Sequence, residues 1–160
     1  MEIKFTDENI KKLNDIKDRY QNTQALVMPA LWLAQEQFGW ISGEIMEYVA
    51  DFLNIPAEKV LAVVKFYTMY NSKPVGKYHL QVCTNVSCML NGAYGILDYI
   101  SQKLNIKPGE TTPDGNFTVT EVECLGSCGT APMMQMNNYY EENLTKEKID
   151  KLVSQISKSK

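Results

Sequence analysis

The sequence predicts a mixed α+β protein in which a small N-terminal helical bundle precedes an α/β domain. Apolar residues recur with the period of an α-helix through roughly the first 70 residues. The segment 71–76 then interrupts this pattern with turn-forming residues, and beyond it strand-like alternation and helical periodicity follow each other. We therefore place a domain boundary there. We expect a helical domain at 1–74, used for packing or docking, and a second domain at 75–160.

Four helices are predicted in the first domain. Thr6 begins an amphipathic surface helix. Residues 23–38 are apolar on nearly all sides, which predicts a buried helix that Pro29 either starts late or kinks. Ser42 can cap the third helix, because its side-chain oxygen can accept from a free N–H of the first turn. Pro56 lies in the first turn of the fourth.

Two strands of the second domain each lead into a cysteine. Residues 77–82 alternate like a strand and end at Cys83, and residues 117–122 form a second strand that leads to Cys124. Residues 93–104 carry an apolar stripe with helical spacing between the two strands. Both cysteine-bearing segments are therefore expected to begin at strand ends.

A hairpin and a closing helix complete the predicted second domain. The stretches 133–136 and 139–141 are joined by Asn137 and Asn138, and Asn tolerates the positive φ angles of a tight hairpin turn. Thr145 then opens an amphipathic helix. Strand, helix, strand, hairpin and helix together predict an α/β layer.

Composition and charge exclude several classes of protein. The chain has 160 residues, of which 44% are hydrophobic and 22% charged, as in a globular protein. Nineteen acidic residues outnumber 16 basic ones, so we expect no binding to nucleic acid or to an anionic membrane surface. The longest apolar run, 25–34, is too short to cross a bilayer. Residues 1–8 already include acidic side chains, and no apolar stretch with a small-residue cleavage site follows, as a signal peptide would require. This favours a cytoplasmic location.

The chemically reactive side chains are few: Cys83, Cys88, Cys124, Cys128 and the single histidine, His79. One histidine is too few for a His-rich zinc enzyme or for a Rieske centre. The HExxH, GxGxxG and GxxxxGK[ST] motifs are also missing from the sequence. Any nucleotide or flavin used in a reaction would therefore have to bind to a partner.

The cysteines form two pairs, C-x4-C at 83–88 and C-x3-C at 124–128. In a reducing cytosol such pairs are more often metal ligands or redox thiols than structural disulfides. Structural zinc favours a tighter C-x2-C spacing, whereas a four-residue gap also occurs in [2Fe-2S] ferredoxins. The spacing favours a [2Fe-2S] cluster and leaves structural zinc, dithiol redox chemistry and disulfides as alternatives.

The neighbours of the cysteines suit a cluster that carries negative charge. Gly126 and Gly129 flank Cys128 and would let backbone N–H groups approach sulfur. Ser87 and Cys88 precede an amphipathic helix, whose N-terminal dipole would stabilise a thiolate. Alternatively, the glycines are ordinary turn residues and Cys88 is a small buried hydrophobe.

Five stretches of the chain carry a further signal: PALWLAQEQFG at 29–39, FYTMY at 66–70, KPVG at 73–76, CTNVSC at 83–88 and ECLGSCGTAP at 123–132. Together they resemble one known family, the small [2Fe-2S] subunit of NADH dehydrogenase modules, also called the 24 kDa or E subunit of NADH-quinone oxidoreductase. The resemblance covers nearly the whole chain, in the same order and at similar spacings. It is therefore far more specific than a single cysteine pair.

The resemblance implies a helical domain followed by a thioredoxin-like [2Fe-2S] ferredoxin domain. It places the four cluster ligands on Cys83, Cys88, Cys124 and Cys128. Relatives occur in NADH dehydrogenases, in NAD-reducing and electron-bifurcating hydrogenases and in formate dehydrogenases. There a larger flavoprotein subunit binds FMN and NAD(H), and further iron-sulfur subunits complete the complex.

The function implied is a one-electron relay between this chain and that flavoprotein, without bond-breaking catalysis by the chain itself. A bifurcating hydrogenase is the favoured parent complex. The alternatives are a free-standing ferredoxin-like carrier and a zinc-stapled interaction domain. A carrier would need only the cluster domain, so the additional helical domain favours permanent assembly.

Other residues are assigned mainly structural roles. His79 is expected on a sheet face, and Phe66, Tyr67 and Tyr70 are expected to pack in the core or between domains. An exposed part of this aromatic stretch could contact the flavoprotein. Ser127 stands where the family commonly has Ala, and a hydroxyl near sulfur could change the reduction potential. Tyr70 stands where the family commonly has Phe.

Overall fold

The computed structural model describes residues 3–158. The chain divides into two compact units between Pro74 and Val75. The first unit contains only helices, and the second combines helices with a four-stranded sheet. Each unit has an apolar core of its own.

The first unit is a four-helix bundle with one short 3-10 turn. Its elements are α1 (Asp7–Lys17), the 3-10 turn (Thr23–Leu26), α2 (Val27–Phe38), α3 (Gly43–Leu53) and α4 (Ala57–Phe66). The helices pack around side chains that are almost inaccessible to solvent. The largest of these are Val27, Leu31, Ile41, Val49 and Val60.

Local capping explains where α1 and α3 begin. The Thr6 side chain accepts a hydrogen bond from the backbone N–H of Asn9 at 3.2 Å. Ser42 accepts one in the same way from the N–H of Ile45, also at 3.2 Å. Each bond satisfies an N–H that has no partner within its own helix. Both predicted helix starts are confirmed.

The two prolines lie near helix starts, but their positions differ from the prediction. Residues 23–38 form a 3-10 turn followed by α2, so the α-helix starts late, at Val27. Pro29 is its third residue, where a missing N–H removes no intrahelical bond. Pro56 is the residue before α4 rather than part of its first turn, and its φ of −61° and ψ of 138° are those of extended backbone.

The aromatic stretch after α4 is only partly buried. The ring of Tyr70 lies in the core, and its hydroxyl donates to the carbonyl of Met28 at 3.0 Å. Burial raises the pKa of this phenol to about 12. Phe66, in contrast, is 77% exposed and packs edge-to-face on Tyr67. Core packing is therefore confirmed for Tyr70, while Phe66 belongs to an exposed part of the stretch, as the sequence also allowed.

The second unit contains three helices and a mixed sheet. Its elements are β1 (Tyr78–Cys83), α5 (Val86–Leu90), α6 (Ala93–Leu104), β2 (Phe117–Val122), a 3-10 turn (Cys128–Thr130), β3 (Met134–Met136), β4 (Tyr139–Glu141) and α7 (Lys146–Lys158). The strand order is β2-β1-β3-β4. Strands β1 and β2 are parallel, while β3 is antiparallel to both β1 and β4.

The parallel pair positions the two cysteine-bearing segments. Parallel strands need a crossover connection, which α6 supplies by packing on both strands. Cys83 lies opposite Val122 in the register. The carboxyl ends of β1 and β2 therefore lie at one edge of the sheet, and the segments that follow them leave from that edge.

The two faces of β1 have different roles. Leu80 and Val82 face the apolar core formed with α6 and α7. His79 alternates with them and is nearly buried, and its Nε2 lies 2.7 Å from the hydroxyl of Thr120. Burial lowers the pKa of His79 to about 4, so the ring is neutral at pH 7. His79 is thus a residue of the sheet face, as expected.

The hairpin and the closing helix match the prediction. Asn137 begins the turn between β3 and β4 with a φ of 53°. The Thr145 hydroxyl accepts from the N–H of Lys148 at 3.2 Å at the start of α7. Among residues 3–158, none of the helices combines the length and the apolar character needed to cross a membrane.

Candidate metal centre

The first cysteine pair is buried. Cys83 is the last residue of β1, Cys88 lies within α5, and each is only 2% exposed. They pack with Ala93 and Met133. The backbone N–H of Cys83 donates to the carbonyl of Met133 at 3.2 Å, which fixes the end of the strand. These thiols therefore belong to a small apolar cluster at the edge of the sheet.

The environment of Cys88 favours a neutral thiol when no metal is bound. Burial is the main cause that raises its pKa to about 11, and a hydrogen bond with the Cys83 thiol raises it as well. A backbone hydrogen bond from Met133 acts in the opposite direction. An electropositive partner is required before a thiolate becomes stable in such surroundings, and a metal ion is such a partner.

The second cysteine pair is exposed. Cys124 follows β2, and Cys128 begins the short 3-10 turn. Their Sγ atoms lie 3.5 Å apart. The N–H of Gly126 approaches the Cys124 sulfur at 3.4 Å, and Gly126 has a φ of +85°, which only glycine adopts readily. The predicted approach of a glycine N–H to sulfur is therefore present at Gly126. Gly129 has no positive φ.

Three side-chain hydrogen bonds join the two cysteine-bearing segments. The Ser87 hydroxyl donates to the backbone carbonyl of Cys128 at 3.0 Å. The other two bonds run from the first segment to the end of β2. They join the Thr84 hydroxyl to Glu121 at 2.7 Å and the Asn85 amide to Glu123 at 2.6 Å. Residues far apart in sequence thus meet at one edge of the sheet.

The two pairs also influence each other electrostatically. Charge on Cys83 and on Cys128 contributes to raising the pKa of Cys88. The pKa of Cys128 is raised chiefly by its hydrogen bond with Cys124, and charge on Cys83 adds to the effect. The two cysteine pairs therefore lie near enough to each other, at the same edge of the sheet, for charge on one pair to affect the other.

One predicted feature of this centre is wrong. Cys88 does not lie just before the amphipathic helix, because it is inside the five-residue helix α5, which Asn85 caps. The amphipathic helix α6 begins only at Ala93, after Gly92 in a left-handed conformation. The dipole of α6 therefore does not start at Cys88, and the short α5 is the element that carries this thiol.

The hydroxyl of Ser127 has a different partner from the one expected. It donates to the carboxylate of Glu142 at 2.5 Å and lies 2.7 Å from the Thr130 hydroxyl. Sequence reasoning did not identify Glu142. The only sequence signal was the pair of hydroxyl residues, Ser127 and Thr130, on either side of Cys128.

A family model matches most of the chain and both units. The model of the thioredoxin-like [2Fe-2S] ferredoxin family aligns with residues 13–157. The chain belongs to this family. The predicted thioredoxin-like fold and the predicted [2Fe-2S] cofactor are thereby confirmed at the level of the family.

Individual relatives of the chain are subunits of NADH-quinone oxidoreductase. The E subunit of NADH-quinone oxidoreductase from Rickettsia felis is 43% identical over 156 residues, which cover 96% of this chain and 93% of the relative. The E 2 subunit of NADH-quinone oxidoreductase from Rhizobium meliloti is 43% identical over 135 residues, which cover 84% and 80%. The predicted resemblance to the E subunit is confirmed.

The same fold occurs in a solved hydrogenase structure. The crystal structure of NAD+-reducing [NiFe]-hydrogenase in the H2-reduced state matches with a TM-score of 0.75 at 21% identity. The match covers 86% of this chain and only 23% of the hydrogenase chain. At this identity the likeness shows the fold alone.

The donors present fit the cofactor of the family. Within residues 3–158, no group of three or more Cys, His, Asp or Glu side chains is arranged to hold a metal ion. The four thiols lie instead as two pairs, one buried and one exposed. A [2Fe-2S] cluster takes two protein ligands on each of its two irons, so two thiol pairs supply the number and type of ligand it requires.

Proposed function

We propose that Cys83, Cys88, Cys124 and Cys128 hold one [2Fe-2S] cluster, and that the chain exchanges single electrons within a multi-subunit NAD-linked oxidoreductase. The observation that carries this proposal is the direct contact between the two cysteine-bearing segments, made by the bond from the Ser87 hydroxyl to the Cys128 carbonyl. Family membership supports the type of cluster.

Each part of the site has a task in this proposal. When bound, a [2Fe-2S] cluster supplies a centre that gains or loses one electron. The buried pair, Cys83 and Cys88, excludes water from one side of the site. The exposed pair, Cys124 and Cys128, lies on the surface, where a redox partner can come close. The Gly126 N–H donates to sulfur and offsets part of its negative charge.

The proposed redox partner is a larger flavoprotein subunit that binds FMN and NAD(H), with further iron-sulfur subunits in the same complex. Two observations support it. The chain lacks the usual nucleotide-binding motifs. Its relatives are subunits of NADH-quinone oxidoreductase and match most of its length. A bifurcating hydrogenase and a formate dehydrogenase are the other parent complexes in which such a subunit fits.

We further propose that the helical domain, 1–74, docks the chain in that complex. Its α4 ends in an exposed aromatic pair, with Phe66 77% and Tyr67 38% accessible. Aromatic side chains are enriched at protein interfaces, where they contribute much of the binding energy. A carrier that diffuses between enzymes would need only the cluster domain, so this surface favours an assembled subunit.

The function is tested by asking whether NADH reduces the chain through its partner. The chain is purified anaerobically from the cells that make it, together with any flavoprotein that accompanies it. We expect NADH to bleach the visible absorption of this chain only when the flavoprotein is present. A chain that purifies alone and is reduced equally well by unrelated reductases would indicate a free carrier. A colourless chain with one bound zinc would indicate an interaction domain that structural zinc stabilises.

A further inference from the structure

Glu142 binds both hydroxyl side chains that flank Cys128. Its Oε1 accepts from the Ser127 hydroxyl at 2.5 Å and from the Thr130 hydroxyl at 2.8 Å. Ser127 immediately precedes Cys128, and Thr130 follows two residues later. One carboxylate oxygen thus holds the chain on both sides of this cysteine.

The backbone around Glu142 strengthens the same connection. The N–H of Asn143 donates to the carbonyl of Thr130, and the N–H of Leu144 donates to the carbonyl of Pro132, both at 2.8 Å. The carbonyl of Glu142 itself accepts from the ammonium group of Lys148 in α7 at 2.8 Å. The segment after β4 is therefore fixed to the first turn of α7 and to the loop that carries Cys128.

The exposed pair needs such an anchor more than the buried pair does. Cys83 and Cys88 are held by a strand, a helix and apolar packing. Cys124 and Cys128 lie in an exposed loop that contains Gly126, whose backbone is permissive. Leu125 and Ala131 of this segment pack on the buried cluster, but the two cysteines themselves stay exposed, so the hydrogen bonds from Ser127 and Thr130 to Glu142 add a constraint next to Cys128. These bonds also lower the pKa of Glu142, which keeps the carboxylate ionised.

We propose that Glu142 is a positioning residue, which acts through Ser127 and Thr130 to fix Cys128 and places a negative charge beside the cluster site. This inference rests on the proposed function, because it concerns the way in which the cluster is held. Removal of the charge makes addition of an electron to the site easier, since nearby negative charge disfavours reduction. Removal of the anchor loosens one ligand.

Glu141 provides a matched control. It is the neighbouring carboxylate, and its Oε2 pairs with the ammonium group of Lys148 at 3.1 Å, but its carboxylate is not a partner of Ser127 or Thr130 in the hydrogen bonds of the structure. Glu141→Gln and Glu142→Gln each remove one negative charge. Only the change at residue 142 alters the carboxylate that accepts from Ser127 and Thr130.

Two measurements on the cluster-loaded chain test the proposal: the midpoint reduction potential, and the rate of iron loss to a chelator without oxygen. We expect Glu142→Ala to lose iron several-fold faster than wild type and to have a more positive potential. Glu142→Gln keeps an acceptor oxygen, so it should share the change in potential but lose iron more slowly than the Ala variant. Ser127→Ala keeps the charge, so it should mainly accelerate iron loss.

The control decides between positioning and a general effect of charge or stability. Glu141→Gln should match wild type in the rate of iron loss and shift the potential less than Glu142→Gln does. Equal behaviour of the Glu141 and Glu142 variants in both measurements would overturn the inference while leaving the proposed function intact. A wild-type chain without iron would overturn both.

Discussion

The four thiols have the same chemistry, but they contribute differently to the stability of the chain. Cys88 is buried and packed, so replacing it removes packing as well as the proposed ligand. Cys124 is exposed, and it contacts the other exposed thiol and a glycine N–H. Cys124 is therefore the residue at which metal binding can be separated from packing.

Replacing Cys124 by Ser should remove or distort the cluster and lower the melting temperature of the loaded protein. Metal binding contributes to folding free energy, so loss of a ligand removes that contribution. Iron content and thermal unfolding check this expectation. Without metal, the variant and wild type should melt alike, because the side chain is exposed. Unchanged iron content in the variant would show that Cys124 is not a ligand.

His79 should make the stability of the chain sensitive to acid. Burial lowers its pKa to about 4 in the folded chain, against about 6.5 when it is exposed to water. The unfolded chain therefore binds a proton at higher pH than the folded chain does. The contribution of the neutral ring is complete above pH 6.5 and is lost as the pH falls toward 4, at a cost of roughly 1 to 3 kcal/mol.

Urea unfolding between pH 7 and pH 4.5 measures this contribution. His79→Gln removes the titrating group, so its free energy of unfolding should fall less with acid than that of wild type. Gln81→Ala, on the same strand, serves as the control and should follow the wild-type profile. Parallel profiles for wild type and His79→Gln would show that burial of this ring does not contribute to acid sensitivity.

At the scale of elements, the side chain of Asn137 adds to the antiparallel pairing that joins the hairpin β3–β4 to β1. Asn137 accepts from the N–H of His79 at 2.8 Å and donates through its amide to the carbonyl of Lys77 at 3.0 Å. Its own N–H also donates to the carbonyl of His79 at 3.0 Å. The φ of 53° allows this residue to turn the chain while it makes these bonds.

Asn137→Ala should therefore destabilise the chain by about 1 to 3 kcal/mol, because it leaves the His79 N–H and the Lys77 carbonyl without this side-chain partner and places Ala at a positive φ. Asn138→Ala, an exposed position of the same turn, should change stability by less than about 0.5 kcal/mol. Chemical denaturation of the three proteins provides the comparison. Equal losses at the two positions would mean that the side-chain bonds of Asn137 are not what stabilises the hairpin.

Features that depend on neighbouring residues were predictable from the sequence. The caps at Thr6 and Ser42 and the Asn turn at residue 137 each involve contacts within a few residues, so local pattern determines them. The ends of β1 and β2 were also predictable, since each strand shows a clear alternation that stops near a cysteine.

Features that depend on tertiary contacts were not predictable in the same way. Helix α5 is only five residues long and has no periodic signal of its own. Cys88 is buried against Met133, which is distant in sequence, whereas Cys128 stays exposed outside that apolar cluster. Glu142 lies 15 residues from Ser127, so only the fold reveals their contact.

At the scale of the whole molecule, the family match spans both units. The family model covers residues 13–157, and the two NADH-quinone oxidoreductase relatives cover 84% and 96% of the chain. The helical unit is therefore part of what these proteins share. In the proposed function this unit supplies docking, while the second unit holds the cluster.

The proposed function depends above all on two thiol pairs that together hold one pair of irons. The most direct test is iron and acid-labile sulfide analysis of the anaerobically purified chain, with electron paramagnetic resonance after reduction by dithionite. We expect two irons and two sulfides per chain and the signal of a one-electron-reduced [2Fe-2S] centre. One zinc per chain, with no iron, no sulfide and no signal, would contradict this expectation.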